Sequence, residues 1–228
     1  MTKRITVILP AYNEEDRVSA TIAGLHKSNY VNRILVIDDG SKDQTSKAAE
    51  TAGAEVYRMP VNAGKGYAMQ QGVMKTVHDS DIIVFLDADI GESASEIDKL
   101  IEPIFLGRAD VTIARFPAAK KKGGFGLVKN LAKYGVQFYT GKTITTSLSG
   151  QRAFNAEVLK SFGNIPVDYG VEVGMTIDLL RMGYQIQEVD VNMTHRETGR
   201  DLKGFIHRGK QFYQILATLI RKSKGVMR

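Results

Sequence analysis

Short apolar runs alternate along the first half of the chain with segments whose apolar residues recur every three or four positions. The compact runs, which are rich in β-branched residues, predict strands, and the wider spacing predicts helices. Strands are predicted over residues 5–9, 33–37, 54–58 and 81–86. Helices are predicted over residues 14–27, 43–52, 66–78 and 95–105. This order predicts a Rossmann-like α/β fold, in which helices cover both faces of a mainly parallel mixed sheet.

The second half of the chain has a less regular pattern. Strands are predicted over residues 111–114 and 184–191, and helices over residues 127–139 and 169–182. The tail, residues 202–224, has apolar residues at helical spacing with Lys and Arg between them. Such a helix suits the surface of an anionic membrane. It equally suits docking on the core or at the interface of a homodimer.

Composition narrows the classes of protein. The chain has 228 residues and no cysteine, which excludes a disulfide scaffold, a thiol nucleophile and a zinc–thiolate site. The net charge of +6 favours an anionic partner: phosphates, a membrane surface or nucleic acid. Nucleic acid is not expected, because the N-terminal lysines are not interleaved with stacking aromatic residues. Without an export signal or an apolar run of about 18 residues, a cytoplasmic protein is expected.

Three polar clusters follow predicted strands, namely residues 13–15, Asp38-Asp39 and Asp87-Ala88-Asp89. In a parallel sheet, ligands bind at the carboxyl ends of the strands. Two carboxylates one residue apart, as in Asp87 and Asp89, can hold a divalent cation that in turn holds a diphosphate. Each cluster alone is also consistent with a turn or a helix cap.

Two common nucleotide-binding motifs are missing. Residues 62–66, Asn-Ala-Gly-Lys-Gly, lack the spacing of a Walker motif, which argues against a P-loop NTPase. No G-x-G-x-x-G fingerprint follows the first strand, which argues against a dinucleotide enzyme. Lys65, between two glycines, is a candidate point charge against a substrate or else a solvated loop lysine.

Four motifs in order resemble the signature of family 2 glycosyltransferases. They occupy residues 9–15, 36–45, 62–66 and 85–89, within about the first 115 residues. The resemblance implies a GT-A fold and a nucleotide-diphospho-sugar donor. The residues that it places at a uracil or guanine base are Pro10, Ala11, Tyr12 and Glu14. It further places Asp39 at the base or ribose, Lys65 near the nucleotide, Asp87 at the ribose and Asp89 on Mg²⁺ or Mn²⁺.

The second half is similar to two groups within the family, the glucosyl-3-phosphoglycerate synthases and the polyprenyl-phosphate sugar synthases. The similarity lies in residues 147–154, residues 168–172 and the pair His195-Arg196. It implies that His195 is a second metal ligand and that Leu148, Gly150 and Glu172 lie near the donor sugar. Glu172 is also a candidate general base.

Some of these assignments have competing interpretations. Arg152 would face the acceptor or the diphosphate, but it could equally pair with Asp168 or Glu172. His195 could be a turn histidine, and Glu172 a carboxylate at a helix start.

These observations predict a metal-dependent hexosyltransferase that uses a UDP-sugar, or else a GDP-sugar. The acceptor would be a polyprenyl phosphate at the inner face of a membrane or a small acid such as 3-phosphoglycerate. Residues 1–228 would form one domain, with a nucleotide-sugar half (1–115), an acceptor half (116–200) and a basic helix (201–228). A nucleotidyltransferase and a non-catalytic protein that binds a membrane surface or anions are the alternatives.

Overall fold

A computed structural model of the chain describes residues 3–117, 126–163, 171–194 and 202–224. In the last range, side chains are described for residue 209 and residues 211–223.

The described residues form one seven-stranded sheet with the strand order β3-β2-β1-β4-β6-β5-β7. The strands are β1 (Ile5–Ala11), β2 (Arg33–Asp38), β3 (Glu55–Arg58), β4 (Ile82–Phe85), β5 (Val111–Arg115), β6 (Arg152–Asn155) and β7 (Ile186–Asp190). Strand β6 runs antiparallel to both of its neighbours, and the other pairs are parallel. The predicted mainly parallel mixed sheet is therefore confirmed.

Eight α-helices and one 3₁₀ helix (Gly91–Ile97) accompany the described strands. The α-helices are α1 (Val18–Leu25), α2 (Thr45–Thr51), α3 (Lys65–Thr76), α4 (Asp98–Phe105), α5 (Leu127–Thr140), α6 (Ala156–Phe162), α7 (Val171–Arg181) and α8 (Leu202–Lys224). The helix predicted from residue 14 begins only at Val18, because the backbone N–H of Glu14 donates to Thr45 Oγ1 (2.8 Å) and holds a turn.

Alternating side chains of the central strands fill two cores, one on each face of the sheet. Val7 and Leu9 of β1 face the core beneath α1, whereas Ile8 faces the core beneath α3. Both faces of β1 and β4 are buried, which explains their uninterrupted apolar sequences. The carboxyl ends of β1, β2 and β4 consequently meet at one edge, and the polar clusters follow these ends.

The C-terminal helix α8 docks on the protein core. Ile215 and Leu219 are buried against α5 and α7, and the Tyr139 hydroxyl donates to the Leu219 carbonyl (2.7 Å). Lys222 forms an ion pair with Asp178 of α7. Docking on the core, one of the three predicted roles for this helix, is therefore observed. Among the described helices, none is both long and apolar enough to cross a membrane.

Candidate active site

The loop after β1 is fastened to the loop after β2. The backbone N–H of Asp39 donates to the Ala11 carbonyl (2.8 Å), and that of Asn13 donates to Ser41 Oγ (2.9 Å). Asn13 has a φ of 55°, a conformation that Asn adopts more readily than most residues. The ring of Tyr12 is left 41% exposed. These bonds present the turn that holds Pro10, Ala11, Tyr12 and Glu14 at the carboxyl edge of the sheet.

Asp39 supports the next loop. Its carboxylate is 3% exposed and accepts hydrogen bonds from the backbone N–H groups of Ala63 (2.7 Å) and Gly64 (2.8 Å). Gly64, with a φ of 95°, can turn the chain into α3 at this point because it has no Cβ. Asp39 thereby fixes the position of Lys65, the first residue of α3. Its predicted contact with a base or ribose stays a prediction.

Lys65 meets carboxylates from two other segments. Its ammonium forms an ion pair with Asp87 Oδ1, and Gln151 donates to the other carboxylate oxygen of Asp87. A Cβ placed on Gly150 would lie 2.9 Å from Lys65 Nζ, 3.8 Å from Asp87 Oδ1 and 3.9 Å from Glu172 Oε1. Gly150 is therefore the floor on which these groups converge, and a side chain there would displace the end of Lys65.

We call Lys65, Asp87, Asp89 and Glu172 the central cluster. Burial alone would lower the pKa of Lys65, but the charges of Asp87, Glu172 and Asp89 raise it above its usual range. Lys65 is therefore a cation at neutral pH. Three carboxylates face this lysine, and even with the nearby guanidinium of Arg152 the group keeps a net negative charge. Such a group attracts a cation.

Asp89 has the properties that a hard divalent cation requires. It is half-buried, and among the described residues its carboxylate accepts no hydrogen bond, so its oxygens can serve as ligands. Within the described ranges, no group of three or more His, Asp and Glu side chains is placed to hold a metal. The other predicted ligand, His195, lies outside those ranges, as do Asp168 and Arg196. Among the described residues, Asp89 could therefore supply one carboxylate ligand to a divalent cation.

Arg152 has a different place from the one predicted. The guanidinium is 1% exposed and donates to the carbonyls of Ser149 (2.8 Å) and Ser147 (2.7 Å) and to Thr176 Oγ1 (3.0 Å). Burial lowers its pKa to about 10, although Glu172 acts in the opposite direction, so it stays charged at pH 7. Arg152 is thus turned inward and holds the loop before β6. The carbonyl groups of that loop are away from water and need a hydrogen-bond donor, which the guanidinium supplies. The predicted contact with acceptor or diphosphate is not what the structure shows.

Two residues of the site were missed by sequence reasoning. Gln151 is 3% exposed and orients Asp87. Glu188 of β7 uses one oxygen, Oε1, to accept from the backbone N–H and the hydroxyl of both Thr145 and Thr146, at 2.6–2.8 Å. Burial would raise the pKa of Glu188, but these hydrogen bonds hold it below its usual range. Neither residue has a local sequence signal, because each partner lies more than forty positions away.

Leu148 lies in the same loop, between the Glu188 anchor and Gly150. It is half-buried and packs on the apolar cluster beneath α5 and α7. The loop that carries Leu148, Gly150 and Gln151 is therefore tied at one end by Glu188, at the other by Arg152, and in the middle by apolar packing.

The chain belongs to glycosyl transferase family 2, whose sequence profile, described as "Glycosyl transferase family 2", matches residues 6–163. It is accordingly a glycosyltransferase. This assignment favours the predicted sugar transfer over the two alternatives, a nucleotidyltransferase and a non-catalytic binding protein.

Relatives fall in both groups that the second half of the sequence indicated. A UDP-N-acetylglucosamine–dolichyl-phosphate N-acetylglucosaminyltransferase of Methanococcus voltae is 32% identical over 181 residues, covering 69% of this chain and 72% of the relative. An undecaprenyl-phosphate mannosyltransferase of Micrococcus luteus is 26% identical over 209 residues, covering 86% of each chain.

A solved structure from the glucosyl-3-phosphoglycerate synthase group has the same fold. It is glucosyl-3-phosphoglycerate synthase from Mycobacterium tuberculosis in complex with Mn²⁺, UDP-glucose and phosphoglyceric acid. The TM-score is 0.79 at 28% identity, over 96% of this chain and 79% of that chain. The predicted GT-A fold is confirmed by this match.

Proposed function

We propose that the protein transfers a sugar from a nucleotide-diphospho-sugar, with a UDP-sugar favoured, to a phosphate-bearing acceptor. The observation that carries this proposal is the convergence of Lys65, Asp87 and Glu172 around Gly150, beside Asp89, at the carboxyl edge of the sheet. In α/β folds this edge is where ligands bind.

The nucleoside would occupy the turn after β1. Pro10, Ala11, Tyr12 and Glu14 would border the base, and the exposed ring of Tyr12 offers a flat apolar surface to it. Asp87, held by Lys65 and Gln151, would accept from the ribose hydroxyls. The M. tuberculosis relative, solved with UDP-glucose, supports uracil as the base.

The diphosphate would lie between Lys65 and Asp89. Asp89, together with His195, would hold Mg²⁺ or Mn²⁺, and Mn²⁺ is present in the complex of the M. tuberculosis relative. When bound, the cation offsets the negative charge that develops on the departing nucleoside diphosphate. Lys65 would supply a further positive charge beside the diphosphate. Its side chain would not have to move when the donor binds, because Asp87 and the loop held by Asp39 already position it.

Glu172 would serve the acceptor side. It stands at the first turn of α7, half-buried, with its carboxylate directed to the floor formed by Gly150. A carboxylate in this position can accept hydrogen bonds from the sugar or take a proton from an acceptor group. The named relatives support an acceptor with a phosphate, either a polyprenyl phosphate or a small acid such as 3-phosphoglycerate.

The proposal is tested by the melting temperature of the chain with UDP, GDP, UDP-glucose and GDP-mannose, each with and without Mn²⁺. A ligand that binds only the folded state raises the melting temperature. We expect UDP and UDP-glucose to raise it when Mn²⁺ is present. The Asp89→Ala variant should lose this response, whereas Asp79→Ala, at an exposed site beyond the far end of α3, should keep it. Absence of a response to every nucleotide would refute the proposal.

The acceptor class is then separated by activity. Transfer from the stabilising donor is measured with undecaprenyl phosphate and with 3-phosphoglycerate in parallel. Transfer to either one supports a phosphate-bearing acceptor. Donor hydrolysis without transfer to either would contradict this part of the proposal.

A further inference from the structure

The outer faces of α5 and α8 leave apolar side chains in solvent. The members on α5 are Leu127, Tyr134 and Phe138, and those on α8 are Phe212, Tyr213, Leu216 and Ile220. Phe138 is 83% exposed and Tyr213 is 71% exposed. We call these seven residues the outer face. Large apolar groups that stay together in water at this level of exposure indicate an interaction surface.

The two parts of the outer face point the same way. On α5, Tyr134 and Phe138 lie about 160–200° around the helix from the buried Val136, which packs toward α7. On α8, Leu216 and Ile220 lie about 160° from Thr218 and Lys222, the residues that approach Gly174 of α7. Both apolar stripes therefore face away from α7.

The stripes are also side by side. A Cβ on Gly135 of α5 would come within 2.6 Å of the Leu219 side chain, so the two helices are in close contact at this glycine. The hydrogen bond from the Tyr139 hydroxyl to the Leu219 carbonyl fixes the contact. The outer face is therefore one continuous surface.

The positive charge of α5 and α8 favours an anionic partner for the outer face. Together α5 and α8 contain no Asp or Glu and eight Lys and Arg, of which Lys222 pairs with Asp178 of α7, whereas the whole chain has a net charge of +6. The remainder of the chain is consequently net negative, and the positive excess is confined to the two helices. Two copies of this face would repel each other, which disfavours a homodimer through it. Exposed aromatic and aliphatic groups among lysines suit anionic lipid instead.

We propose that the outer face docks the protein on the surface of an anionic lipid bilayer, with its apolar side chains at the headgroup boundary and its lysines on the lipid phosphates. The proposal goes beyond the sugar transfer and does not depend on it. Lys133, which lies 5.9 Å from the ring centre of Tyr134, would contact headgroups beside that ring.

The test is flotation of the full chain with vesicles of phosphatidylcholine alone and with vesicles that contain 30% phosphatidylglycerol (about 0.1 M salt). We expect binding to the anionic vesicles, weak binding to the neutral ones, and release at about 0.5 M salt because the charges are screened. Phe138→Ser/Tyr213→Ser should lower the partition coefficient at least about tenfold. The matched control Met74→Ser/Leu106→Ser removes two apolar residues of comparable exposure on α3 and beside α4 and should bind normally.

A charge series completes the test. Lys133→Glu/Lys210→Glu, beside Tyr134 and three positions before Tyr213, should weaken binding about tenfold or more. Lys47→Glu/Lys75→Glu, which changes the charge equally on α2 and α3, should have a much smaller effect. Equal binding to both vesicle types, or none, overturns the proposal. So does a wild-type dimer, seen by light scattering, that Phe138→Ser/Tyr213→Ser converts into a monomer. Since nucleotide binding is not part of this readout, its failure is separate from any failure of the proposed sugar transfer.

Discussion

The two halves of the chain contribute differently to the candidate active site. The first half supplies charged groups, Lys65, Asp87 and Asp89, on loops that directly follow strands or open a helix. The second half adds one carboxylate, Glu172, and otherwise shapes the space around these groups: Gly150 forms a floor, and Arg152 holds the loop that carries it. The comparison teaches that short sequence motifs supply the charged groups, whereas contacts between distant parts of the chain set their arrangement. If this division is correct, substitutions of the first-half charges should reduce activity at unchanged stability, whereas those in the loop before β6 should change stability or the shape of the site.

The largest effect is expected for Asp89→Asn. The amide keeps the size of the side chain but removes the charge that would hold a cation, so kcat/KM should fall about 10²–10³-fold. The melting temperature without ligand should stay unchanged, because the Asp89 carboxylate accepts no hydrogen bond within the described ranges. Steady-state kinetics and a thermal melt check both parts. A large loss of stability in this variant would contradict the division between the halves.

Arg152→Met is expected to act mainly on stability. It leaves the buried carbonyls of Ser147 and Ser149 without a donor, which should cost about 3 kcal/mol of unfolding free energy. Urea unfolding measures the loss. Arg108→Met, which breaks only an exposed ion pair with Glu102, serves as the control and should cost less than about 0.5 kcal/mol. Similar costs for the two variants would show that Arg152 does not hold the loop.

Gly150→Ala tests the floor of the site. The added methyl group would lie 2.9 Å from Lys65 Nζ, so the flexible end of the lysine must move away from Asp87. We expect kcat/KM to fall on the order of tenfold, while the fold is retained. Gly209→Ala, on α8, where a Cβ would meet nothing within 4 Å, is the matched control and should keep full activity. Unchanged kinetics of Gly150→Ala would place Lys65 outside the working site.

The smallest effect is expected for Glu188→Gln. An amide oxygen accepts weaker hydrogen bonds than a carboxylate from Thr145 and Thr146, so about 1 kcal/mol should be lost at pH 7. Because the folded-state pKa of Glu188 is depressed, its stabilisation is complete above its unfolded pKa and disappears as pH falls through the folded pKa. The difference between wild type and variant should therefore shrink below about pH 4.5. If the difference in unfolding free energy between wild type and variant stayed constant across that pH range, the role of the Glu188 charge would be refuted. Glu102→Gln, which removes an exposed carboxylate, is the control.

The first half of the fold could be predicted closely from sequence because its signals are local. Apolar runs predicted the strands, and α3 begins within one residue of its predicted position. The start of α1 was predicted too early, since the bond between Glu14 and Thr45 that holds residue 14 in a turn joins two distant segments.

The second half of the site was less accessible to sequence reasoning. The family resemblance placed Arg152 at the acceptor or the diphosphate and left a pairing with Asp168 or Glu172 open. The burial of Arg152 depends on the carbonyls of a loop whose path the sequence does not reveal. Gln151 and Glu188 were missed for the same reason. Each acts through a contact that exists only after the sheet has assembled.

Strand β6 lies between β4 and β5, although it follows both of them in the chain. During synthesis from the N-terminus, β4 therefore emerges and pairs with β1 long before its other edge can be covered. Translation must pass residue 155 before Gln151 can reach Asp87. The parallel N-terminal strands can pair early, but the sheet edge that carries Asp87 is completed only after β6 has been synthesised. A nascent chain therefore contains Lys65 and Asp87 before it contains Gln151, the residue that orients Asp87.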